Sequence, residues 1–328
     1  MTTISAGTVR PFRSTDEDYA ALAAASGRIY TDYPWSPEEM RHEDASWDSA
    51  RFFKERWLLE ADAGVVGFAI LNHSRHSFVA DTYWLDLGVV PDARRRGHGT
   101  ALYERVHETL RSRGARRIRA GAKESMADGV EFLLRRGFVE DRRDWESRLP
   151  LRELDLSPFS GARERVEAAG IRISTLADEM AGAAEAARKA YDLAEDVHLD
   201  VPSSDPVTPV DYETWAKAHL EGPNFMPEAW FLAIGADGRW LAMSNMEPSD
   251  EDKTFLWQGL TGVRREARGK GLAMALKLET VRFARARGVD HIKTWNDQRN
   301  RPMLRINEAL GFVKQPAWIH LHKDLEAS

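Results

Sequence analysis

Two short stretches of this 328-residue chain combine arginine and glycine in a pattern suited to phosphate. Residues 89–99 read Val-Val-Pro-Asp-Ala-Arg-Arg-Arg-Gly-His-Gly, and residues 263–273 read Val-Arg-Arg-Glu-Ala-Arg-Gly-Lys-Gly-Leu-Ala. In both, Arg-x-x-Gly-x-(Gly/Ala) lies where a strand pattern gives way to a helical one. Glycine lets a ligand approach the backbone closely, and the N-terminus of a helix carries partial positive charge. The loops are therefore candidates for holding a pyrophosphate.

Other phosphate-binding loops fit less well. A P-loop ends in Gly-Lys-(Ser/Thr), whereas glycine is followed here by Thr100-Ala101 in the first loop and by Leu272-Ala273 in the second. A dinucleotide fingerprint needs Gly-x-Gly-x-x-Gly near the start of its domain and lacks this arginine cluster. A turn with a solvated basic face remains an alternative, but two occurrences at the same place in a repeat count against it.

The chain is an internal repeat. Residues 89–138 align without a gap to residues 263–312 at an offset of 174, so that Gly97 falls on Gly271 and Gly137-Phe138 on Gly311-Phe312. The alignment extends upstream, where the second copy carries a net insertion of about a dozen residues after its first helix. We expect two domains, 1–156 and 157–328, which meet near the turn-forming sequence Leu156-Ser157-Pro158.

Each copy predicts the same order of elements. A short strand (9–12 or 171–174) leads into an Ala-rich helix, and a second helix is expected to begin with a hydroxyl cap at Ser36 or Thr208. A hairpin follows, at 62–64 in the first copy and at Asp237-Gly238 in the second. A strand (83–90 or 255–263), a long helix, another strand and helix, and a final strand (143–149 or 317–325) complete each copy.

The loop Val-x-Pro-x-x-Arg-x-x-Gly-x-Gly resembles the acetyl-CoA loop of the Gcn5-related N-acetyltransferase (GNAT) superfamily, and Leu310-Gly311-Phe312 resembles its closing motif. The resemblance covers both halves and is closest to tandem acetyltransferases. It implies an α/β fold whose mixed sheet splays open between its fourth and fifth strands, with the pantetheine of acetyl-CoA in the gap. The cofactor-binding residues it implies are Val89, Val90, Arg94, Arg95, Arg96, Gly97, His98, Gly99 and Thr100 in the first copy, and Thr261, Gly262, Val263, Arg268, Gly269, Lys270, Gly271, Leu272, Ala273, Asn296 and Asn300 in the second.

The copies differ where chemistry is expected. Asn296, Asn300 and Asn307 have the spacing of one helical face in the second copy, while Ala122, Met126 and Leu133 occupy the matching positions of the first. Buried amides need partners, and pantetheine amides are suitable ones, although helix capping is an equal alternative for Asn296. The second copy is therefore expected to be catalytic, and the first to be a degenerate or CoA-retaining partner.

The groups that move protons are harder to assign. Many members of the superfamily carry a tyrosine four residues before the closing Gly-Phe, where this chain has Leu133 and Asn307. Asn307 is the candidate to stabilise the departing thiolate by a hydrogen bond. Asp86 on the central strand of the first copy and Glu247 in the second are candidate bases that deprotonate an amine, and His291 is a further possibility. A solvated or paired surface side chain is the alternative for each.

Acidic residues mark the expected acceptor side. Between Asp192 and Glu213 the second copy has seven carboxylates and no Lys or Arg, which would concentrate a cationic amine beside a cleft. The candidate acceptor-binding residues are Glu195, Asp196 and Asp200, together with Trp257 on the central strand. A solvated acidic loop is the alternative, and the recurrence of Asp-x-Pro at 32–34 and 200–202 also fits a shared turn.

Composition excludes several classes. The chain has no cysteine, a net charge of −6, and no apolar run near the roughly 20 residues that span a bilayer. Disulfide scaffolds, thiolate metal sites and nucleic acid as the main partner are thereby disfavoured. We expect a cytoplasmic protein with no signal peptide, no bound metal and no membrane partner. It should be a monomer that acts as a pseudo-dimer, or a weak homodimer.

These patterns predict an N-acetyltransferase that transfers an acetyl or short acyl group from acetyl-CoA to a small, cationic amine by direct attack in a ternary complex. A non-catalytic protein of the same fold, which binds or senses CoA or serves as a scaffold, is the alternative. The missing tyrosines favour the alternative, and the intact glycines and asparagines of the second copy favour the enzyme.

Overall fold

The computed structural model describes residues 7–33, 35–61, 64–75, 77–222, 224–249 and 252–326. The chain forms two compact units. Unit 1 contains Met1–Arg143, Ser203–Thr208 and Trp318–Ser328, and unit 2 contains Asp144–Pro202 and Pro209–Ala317.

In the part of the chain that the structure describes, the first repeat supplies six strands and four α-helices. The strands are β1 (Thr8–Pro11), β2 (Lys54–Ala61), β3 (Gly64–Asn72), β4 (Thr82–Val89), β5 (Arg117–Lys123) and β6 (Val139–Pro150). The helices are α1 (Asp16–Ile29), α2 (Pro37–Ala45), α3 (His98–Ser112) and α4 (Ala127–Leu134).

The second repeat supplies seven strands and six helices within the described residues. The strands are β7 (Arg172–Thr175), β8 (Trp230–Ile234), β9 (Trp240–Pro248), β10 (Phe255–Val263), β11 (His291–Asp297), β12 (Val313–Lys314) and β13 (Trp318–Asp324). The helices are α5 (Ala162–Ala168), α6 (Leu176–Gly182), α7 (Ala186–His198), α8 (Tyr212–His219), α9 (Leu272–Arg287) and α10 (Arg301–Leu310).

The sheet of unit 1 has the strand order β1-β2-β3-β4-β5-β13. Strands β4 and β5 are parallel, and their pairing runs from Thr82↔Arg117 to Leu85↔Ala120. Past Leu85 the two strands no longer pair, so a gap opens toward the end of β4. The predicted splay between the fourth and fifth strands is therefore confirmed in this unit.

The sheet of unit 2 follows the same plan in the order β6-β11-β10-β9-β8-β7. Strands β10 and β11 are parallel and pair only from Phe255↔His291 to Trp257↔Lys293. The pairing of β10 with β9 shifts register between Gln258 and Thr261, which is a bulge that the matching strand β4 lacks.

The last strand of each repeat lies in the other unit. Strand β13 pairs along β5, from Trp318↔Lys123 to Asp324↔Arg117. Residues 144–150 of β6 pair with β11, from Asp144↔Asp297 to Pro150↔His291. The compact units therefore differ from the domains 1–156 and 157–328 expected from the repeat. Sequence repeats reveal duplication, but they do not reveal which sheet edge a terminal strand joins.

Helix starts are set by local capping. Ser36 begins α2 with a capping box, because its hydroxyl accepts from the Glu39 N–H and the Glu39 carboxylate accepts from the Ser36 N–H. The matching prediction at Thr208 is wrong. Helix α8 begins after Asp211, whose carboxylate caps it, and the Thr208 hydroxyl accepts from the Phe78 N–H instead. The predicted hairpin turn at 62–64 lies largely outside the described residues.

Apolar side chains fix the position of α3 on its sheet. Leu102, Val106 and Leu110 recur at helical spacing and are fully buried in the core of unit 1, together with Phe68 and Ile118 of the sheet. Packing of this stripe holds the N-terminus of α3 at the end of β4, where the two strands part. In the parts of the chain that the structure describes, no helix is long and apolar enough to cross a membrane.

Candidate functional site

The loop after β4 presents backbone N–H groups at the start of α3. A short 3-10 turn at Pro91–Ala93 leads to Gly97, which caps α3 with φ of +85°. Because glycine has no side chain, the first N–H groups of this helix receive no capping hydrogen bond from the N-cap residue. Uncapped N–H groups and the partial positive charge of the helix suit an anion such as pyrophosphate.

A cavity of about 390 Å³ begins at this loop and reaches through the gap between β4 and β5. Its walls belong to unit 1 and include residues of β4, β5, α3 and α4. Seven of the predicted cofactor residues line it, namely Val89, Arg94, Arg95, Gly97, His98, Gly99 and Thr100. Val90 is instead buried in the core, and Arg96 is exposed on the loop without lining the cavity.

Small residues keep the gap open. Gly121 and Ala122 of β5 and Gly129 of α4 line the cavity together with Met126 and Leu133. The sequence reasoning treated Ala122, Met126 and Leu133 as the loss of a polar stripe. In the structure these positions form an apolar wall. Such a wall can pack against the methylene groups of a pantetheine, just as asparagine side chains could hydrogen-bond to its amides.

Cations surround the mouth of the cavity. The guanidinium of Arg94 donates from Nε to the Val89 carbonyl at 3.0 Å, and Arg95 pairs with Asp128. Arg136 stacks over the Phe132 ring at 3.5 Å and donates to the Thr100 hydroxyl at 2.8 Å. Sequence reasoning missed Arg136, because no motif marks a residue whose role depends on the packing of α4 against α3.

At its far end the cavity reaches Tyr30, which hydrogen-bonds to Asp86. The Tyr30 hydroxyl donates to Asp86 Oδ1 at 2.7 Å. Asp86 lies deep in unit 1, yet part of the residue stays exposed. Burial raises the pKa of Asp86, and the hydrogen bond from Tyr30 only partly opposes this effect. Tyr30 also has a raised pKa because it is buried, so it stays a donor at neutral pH.

The second loop has the same backbone but a different charge environment. Gly269 and Gly271 adopt φ of +78° and +77°, and no side chain caps α9. The arginines of the loop, however, are already paired within unit 2. Asp200 binds Arg265 at 2.6 Å and also Arg268.

Carboxylates predicted to bind an acceptor amine therefore have other partners. Besides the two arginines held by Asp200, Arg264 pairs with Asp196 at 2.9 Å. Glu195 accepts from the Val210 N–H at 3.2 Å. Asp196 and Asp200 are thus not uncompensated, because distant loop arginines that a count of local charges does not include neutralise them. Acceptor binding by this segment stays a prediction.

The predicted asparagine stripe is also rearranged. Asn296 lies in β11 rather than on a helix, and its Oδ1 accepts from Asn307 Nδ2 at 2.6 Å. Asn300 caps α10, its side chain accepting from the Met303 N–H. Asn307 is buried and its own Oδ1 has no hydrogen-bond partner in the described structure. The stripe is thus in part self-paired and in part a helix cap.

Larger side chains stand in the second repeat where the first has small ones. Trp295 and Met303 occupy the positions that match Gly121 and Gly129 of the cavity wall. Lys277, matching Tyr103, is fully buried, with its Nζ 3.9 Å from Met303 Sδ. Burial lowers the pKa of this lysine to about 7. The cavity described above therefore lies in the first repeat, whereas the sequence led us to expect the active cleft in the second.

The remaining second-repeat candidates lie along β9, β10 and α9. The Thr261 hydroxyl shares a hydrogen bond of 2.8 Å with Ser244, and Gly262 packs against Val197, which a Cβ at that position would meet at 2.5 Å. Val263 and Ala273 are half-buried, Leu272 is buried and Lys270 is exposed. Glu247 and Trp257 are register partners across β9 and β10.

If Asp200 blocks the second loop, its neutralisation should expose a site for phosphate. We expect the wild-type chain to bind one CoA and Asp200→Asn to bind a second, because Arg265 and Arg268 lose a charged partner. Charge-assisted hydrogen bonds of this kind change affinity by about tenfold to a hundredfold. Calorimetry with CoA measures both stoichiometry and affinity.

Asp32 provides the matched control for that experiment. It is the counterpart of Asp200 in the repeated Asp-x-Pro sequence, and it pairs with Lys123 of β5 at 3.1 Å. Asp32→Asn should therefore leave the stoichiometry at one. A wild-type chain that already binds two CoA molecules with equal affinity would show that Asp200 does not block the loop.

One family model matches part of the chain, and relatives match most of its length. Residues 20–138 match the model of the acetyltransferase (GNAT) family. A mycothiol acetyltransferase of Nocardiopsis dassonvillei is 29% identical over 272 residues, which cover 77% of this chain and 76% of the relative. A mycothiol acetyltransferase of Catenulispora acidiphila is 25% identical over 97% of this chain and 98% of its own.

Solved structures resemble the chain over nearly its whole length. A tandem GNAT protein from the clavulanic acid biosynthesis pathway superposes with a TM-score of 0.74 at 19% identity, covering 98% of this chain and 100% of that one. A GCN5-related N-acetyltransferase from Sphaerobacter thermophilus gives a TM-score of 0.68 at 20% identity, covering 96% and 95%. At these identities the likeness concerns the fold.

Proposed function

We propose that this chain is an acyltransferase of the GNAT family with the fold repeated in tandem, and that its first repeat transfers an acetyl or other short acyl group from acyl-CoA to an amine. The observation that carries the proposal is the cavity of unit 1. It runs from the phosphate-suited loop at Gly97 through the gap between β4 and β5 to Tyr30, whose hydroxyl donates to the half-buried Asp86.

The residues present fit acyl-CoA along this path. The α3 N-terminus and the loop guanidinium groups provide donors for the phosphates, with Arg136 beside them. Leu85, Leu87 and Ala122 provide an apolar wall for the pantetheine. Backbone groups of β4 past Leu85 no longer pair with β5, which leaves them for pantetheine amides and for the thioester carbonyl.

Asp86 is the group we assign to proton transfer. Acyl-CoA supplies a thioester, and an amine must be neutral to attack it. The amine nitrogen forms a bond to the carbonyl carbon, the carbon–sulfur bond breaks, and the proton of the amine passes to Asp86. A carboxylate whose pKa is raised by burial is a stronger base than an ordinary one, and Tyr30 holds it in place. Leu133 stands at the position where many members of the superfamily carry a tyrosine, so this position provides no acid for the departing thiolate.

We take the acceptor to be an amine. The carboxylates of the acidic segment in the second repeat have partners of their own, so they give no reason to expect further positive charge on the acceptor. Trp84 flanks Asp86 on β4, and Trp318 lies 5.9 Å from the Tyr30 ring within unit 1. These rings favour an acceptor with an apolar or flat group beside its amine. A thiol-release assay with acetyl-CoA and a panel of amines tests the proposal, and the acceptor of the mycothiol acetyltransferases belongs in that panel. CoA binding without thiol release for any amine would favour a CoA-binding protein without turnover.

The pH profile should report Asp86. We expect kcat/KM to fall as the pH drops through the pKa of this carboxyl, since only its charged form accepts a proton. Burial raises that pKa, so the fall begins above the ordinary carboxyl range, which centres near 3.9. Tyr30 stays protonated throughout and adds no limb.

Initial rates measured with two acceptors of different amine pKa distinguish the titration of a group on the enzyme from the titration of the acceptor amine. A limb that belongs to Asp86 stays at the same pH for both acceptors, whereas a limb that follows the amine moves with it. A profile without any acceptor-independent limb would contradict the assignment of Asp86 as the base.

A further inference from the structure

Helices α9 and α10 of unit 2 enclose a lysine beside a methionine sulfur. Lys277 of α9 is only 1% exposed, and its Nζ lies 3.9 Å from the Sδ of Met303 on α10. The centroid of the Phe312 ring lies 5.1 Å from the same nitrogen. Neither Lys277 nor Met303 takes part in the acyl transfer proposed for the first repeat.

The amine of Lys277 faces a weak hydrogen-bond acceptor. Within the described ranges it makes no ion pair, and a thioether sulfur accepts hydrogen bonds poorly. An ammonium group has three donors, and its burial without oxygen partners is costly. Burial accordingly lowers the pKa of Lys277 to about 7, so the ammonium and amine forms are both present at neutral pH. A strong acceptor attached to the sulfur would reduce the cost of burying the ammonium form.

The first repeat indicates that the fold itself does not need this pair. Tyr103 occupies the position that matches Lys277, and Gly129 the position that matches Met303. The Tyr103 ring is buried and packs edge-on against Phe138, so an uncharged side chain fills the same place on the helix. The lysine and the methionine therefore belong to the second repeat alone, where they contact each other.

The Met303 side chain is accessible to a small reagent in water. It lies in the first turn of α10 and is half-buried, and the preceding residues Arg301 and Pro302 are exposed. Other methionines are shielded in the cores of the two units, namely Met40, Met226, Met243 and Met246. Hydrogen peroxide can thus reach a sulfur that touches a buried amine.

We propose that Met303 is a modification site, at which a peroxide oxidises the sulfur and Lys277 assists the reaction and then binds the sulfoxide. The sulfur lone pair forms a bond to one oxygen of hydrogen peroxide, and the O–O bond breaks. The other oxygen leaves as water with a proton from the Lys277 ammonium, and the sulfur-bound hydroxyl returns a proton to the amine. One thioether and one peroxide are consumed, and one sulfoxide and one water are formed.

The product makes a hydrogen bond that the thioether cannot make. A sulfoxide oxygen is a strong acceptor, and an oxygen added on the lysine side of the sulfur lies within the 3.9 Å that separates Sδ from Nζ. Methionine sulfoxide ordinarily disrupts packing because it is polar, but here the buried ammonium is its partner. Helices α9 and α10 should therefore stay packed after oxidation. Reductases that act on methionine sulfoxide make the modification reversible.

Timed treatment of the full chain with hydrogen peroxide, followed by peptide mass spectrometry, tests the proposal. Met180 is 40% exposed and serves as the internal standard for unassisted oxidation. We expect Met303 to oxidise at least as fast as Met180 in the native chain, although it is less exposed. Its rate relative to Met180 should also be higher there than in the chain unfolded by guanidinium, where Lys277 no longer lies beside it.

Lys277→Leu should slow the oxidation of Met303 by about tenfold or more, the effect of losing one hydrogen bond from a charged group, and leave the rate of Met180 unchanged. Lys189→Leu is the matched control, because it removes an exposed lysine of unit 2 that pairs with Glu185 at 3.1 Å. It should leave both rates unchanged.

The comparison of native with unfolded wild type needs no variant, so it decides the question if Lys277→Leu does not fold. The proposal is overturned if native Met303 oxidises no faster, relative to Met180, than it does in the unfolded chain. An unchanged rate of Met303 in folded Lys277→Leu overturns it equally. These rates are measured without acyl-CoA or an acceptor, so their outcome is independent of the acyl transfer proposed for the first repeat.

Discussion

Replacing Asp86 by Asn is expected to lower the turnover of an amine acceptor by about a hundredfold to ten-thousandfold, the range of general-base catalysis. Asparagine keeps the shape and accepts the Tyr30 hydrogen bond of 2.7 Å, but it cannot take up a proton. The phosphate loop is untouched, so the affinity for CoA should stay within about twofold of the wild type, a difference below one hydrogen bond. Steady-state thiol release and calorimetry with CoA measure the two quantities separately.

Two further variants show whether the loss belongs to chemistry. Asp92→Asn changes an exposed carboxylate near the loop that pairs with Arg28, and it should leave turnover unchanged. Glu247→Gln removes the deep carboxylate of the second repeat and should also preserve turnover if the first repeat is catalytic. Full activity in Asp86→Asn, with activity lost in Glu247→Gln, would return the chemistry to the second repeat, where the sequence first suggested it.

The features that the sequence predicted well are those that depend on neighbours along the chain. The glycines at 97 and 271 cap helices with positive φ, as the loop pattern requires, and the strand predicted at 255–263 spans those residues in the structure. The splay between parallel strands came from the resemblance and holds in both units. Such features need only local geometry and one recurring motif.

The features that the sequence did not reveal depend on contacts between distant residues. Asp200 reaches Arg265 across 65 positions, and no local pattern separates a free acidic segment from one that neutralises a loop. The asparagine spacing suggested one helical face, but Asn296 belongs to a strand and pairs with Asn307 across 11 positions. A repeat alignment likewise does not show that the last strand of each repeat, β6 or β13, pairs with a strand of the other repeat.

The two repeats differ in whether the space for a cofactor is open or filled. In the first repeat, small residues keep the gap open and a deep carboxylate lies at its end. In the second, Trp295 and Met303 stand at the matching positions, and the loop arginines have carboxylate partners. We therefore expect CoA to bind at the loop of the first repeat and not at that of the second, even though the glycines of both loops adopt nearly the same backbone angles.

Gly97→Val tests that expectation directly and should abolish detectable CoA binding, a loss of about a hundredfold or more, because the donors of a whole loop are displaced together. Gly97 has φ of +85°, which a β-branched residue adopts only with strain. Apart from its two neighbours in sequence, no described residue has an atom within 4 Å of the Cβ position. The added side chain therefore meets no protein neighbour and stands instead where a ligand approaches the backbone. Calorimetry with CoA gives the affinity, and thermal unfolding confirms that the variant folds.

Gly271→Val is the matched control, since Gly271 has φ of +77°, the same helix-capping position and no neighbour within 4 Å. Both substitutions impose the same backbone strain, so a similar drop in melting temperature in the two variants isolates the effect on the ligand. If the first repeat holds CoA, Gly271→Val retains its binding and turnover while Gly97→Val loses both. If Gly271→Val loses binding and Gly97→Val keeps it, the open cavity of the first repeat is not the CoA site, and the loop held by Asp200 must release its arginines to bind the cofactor.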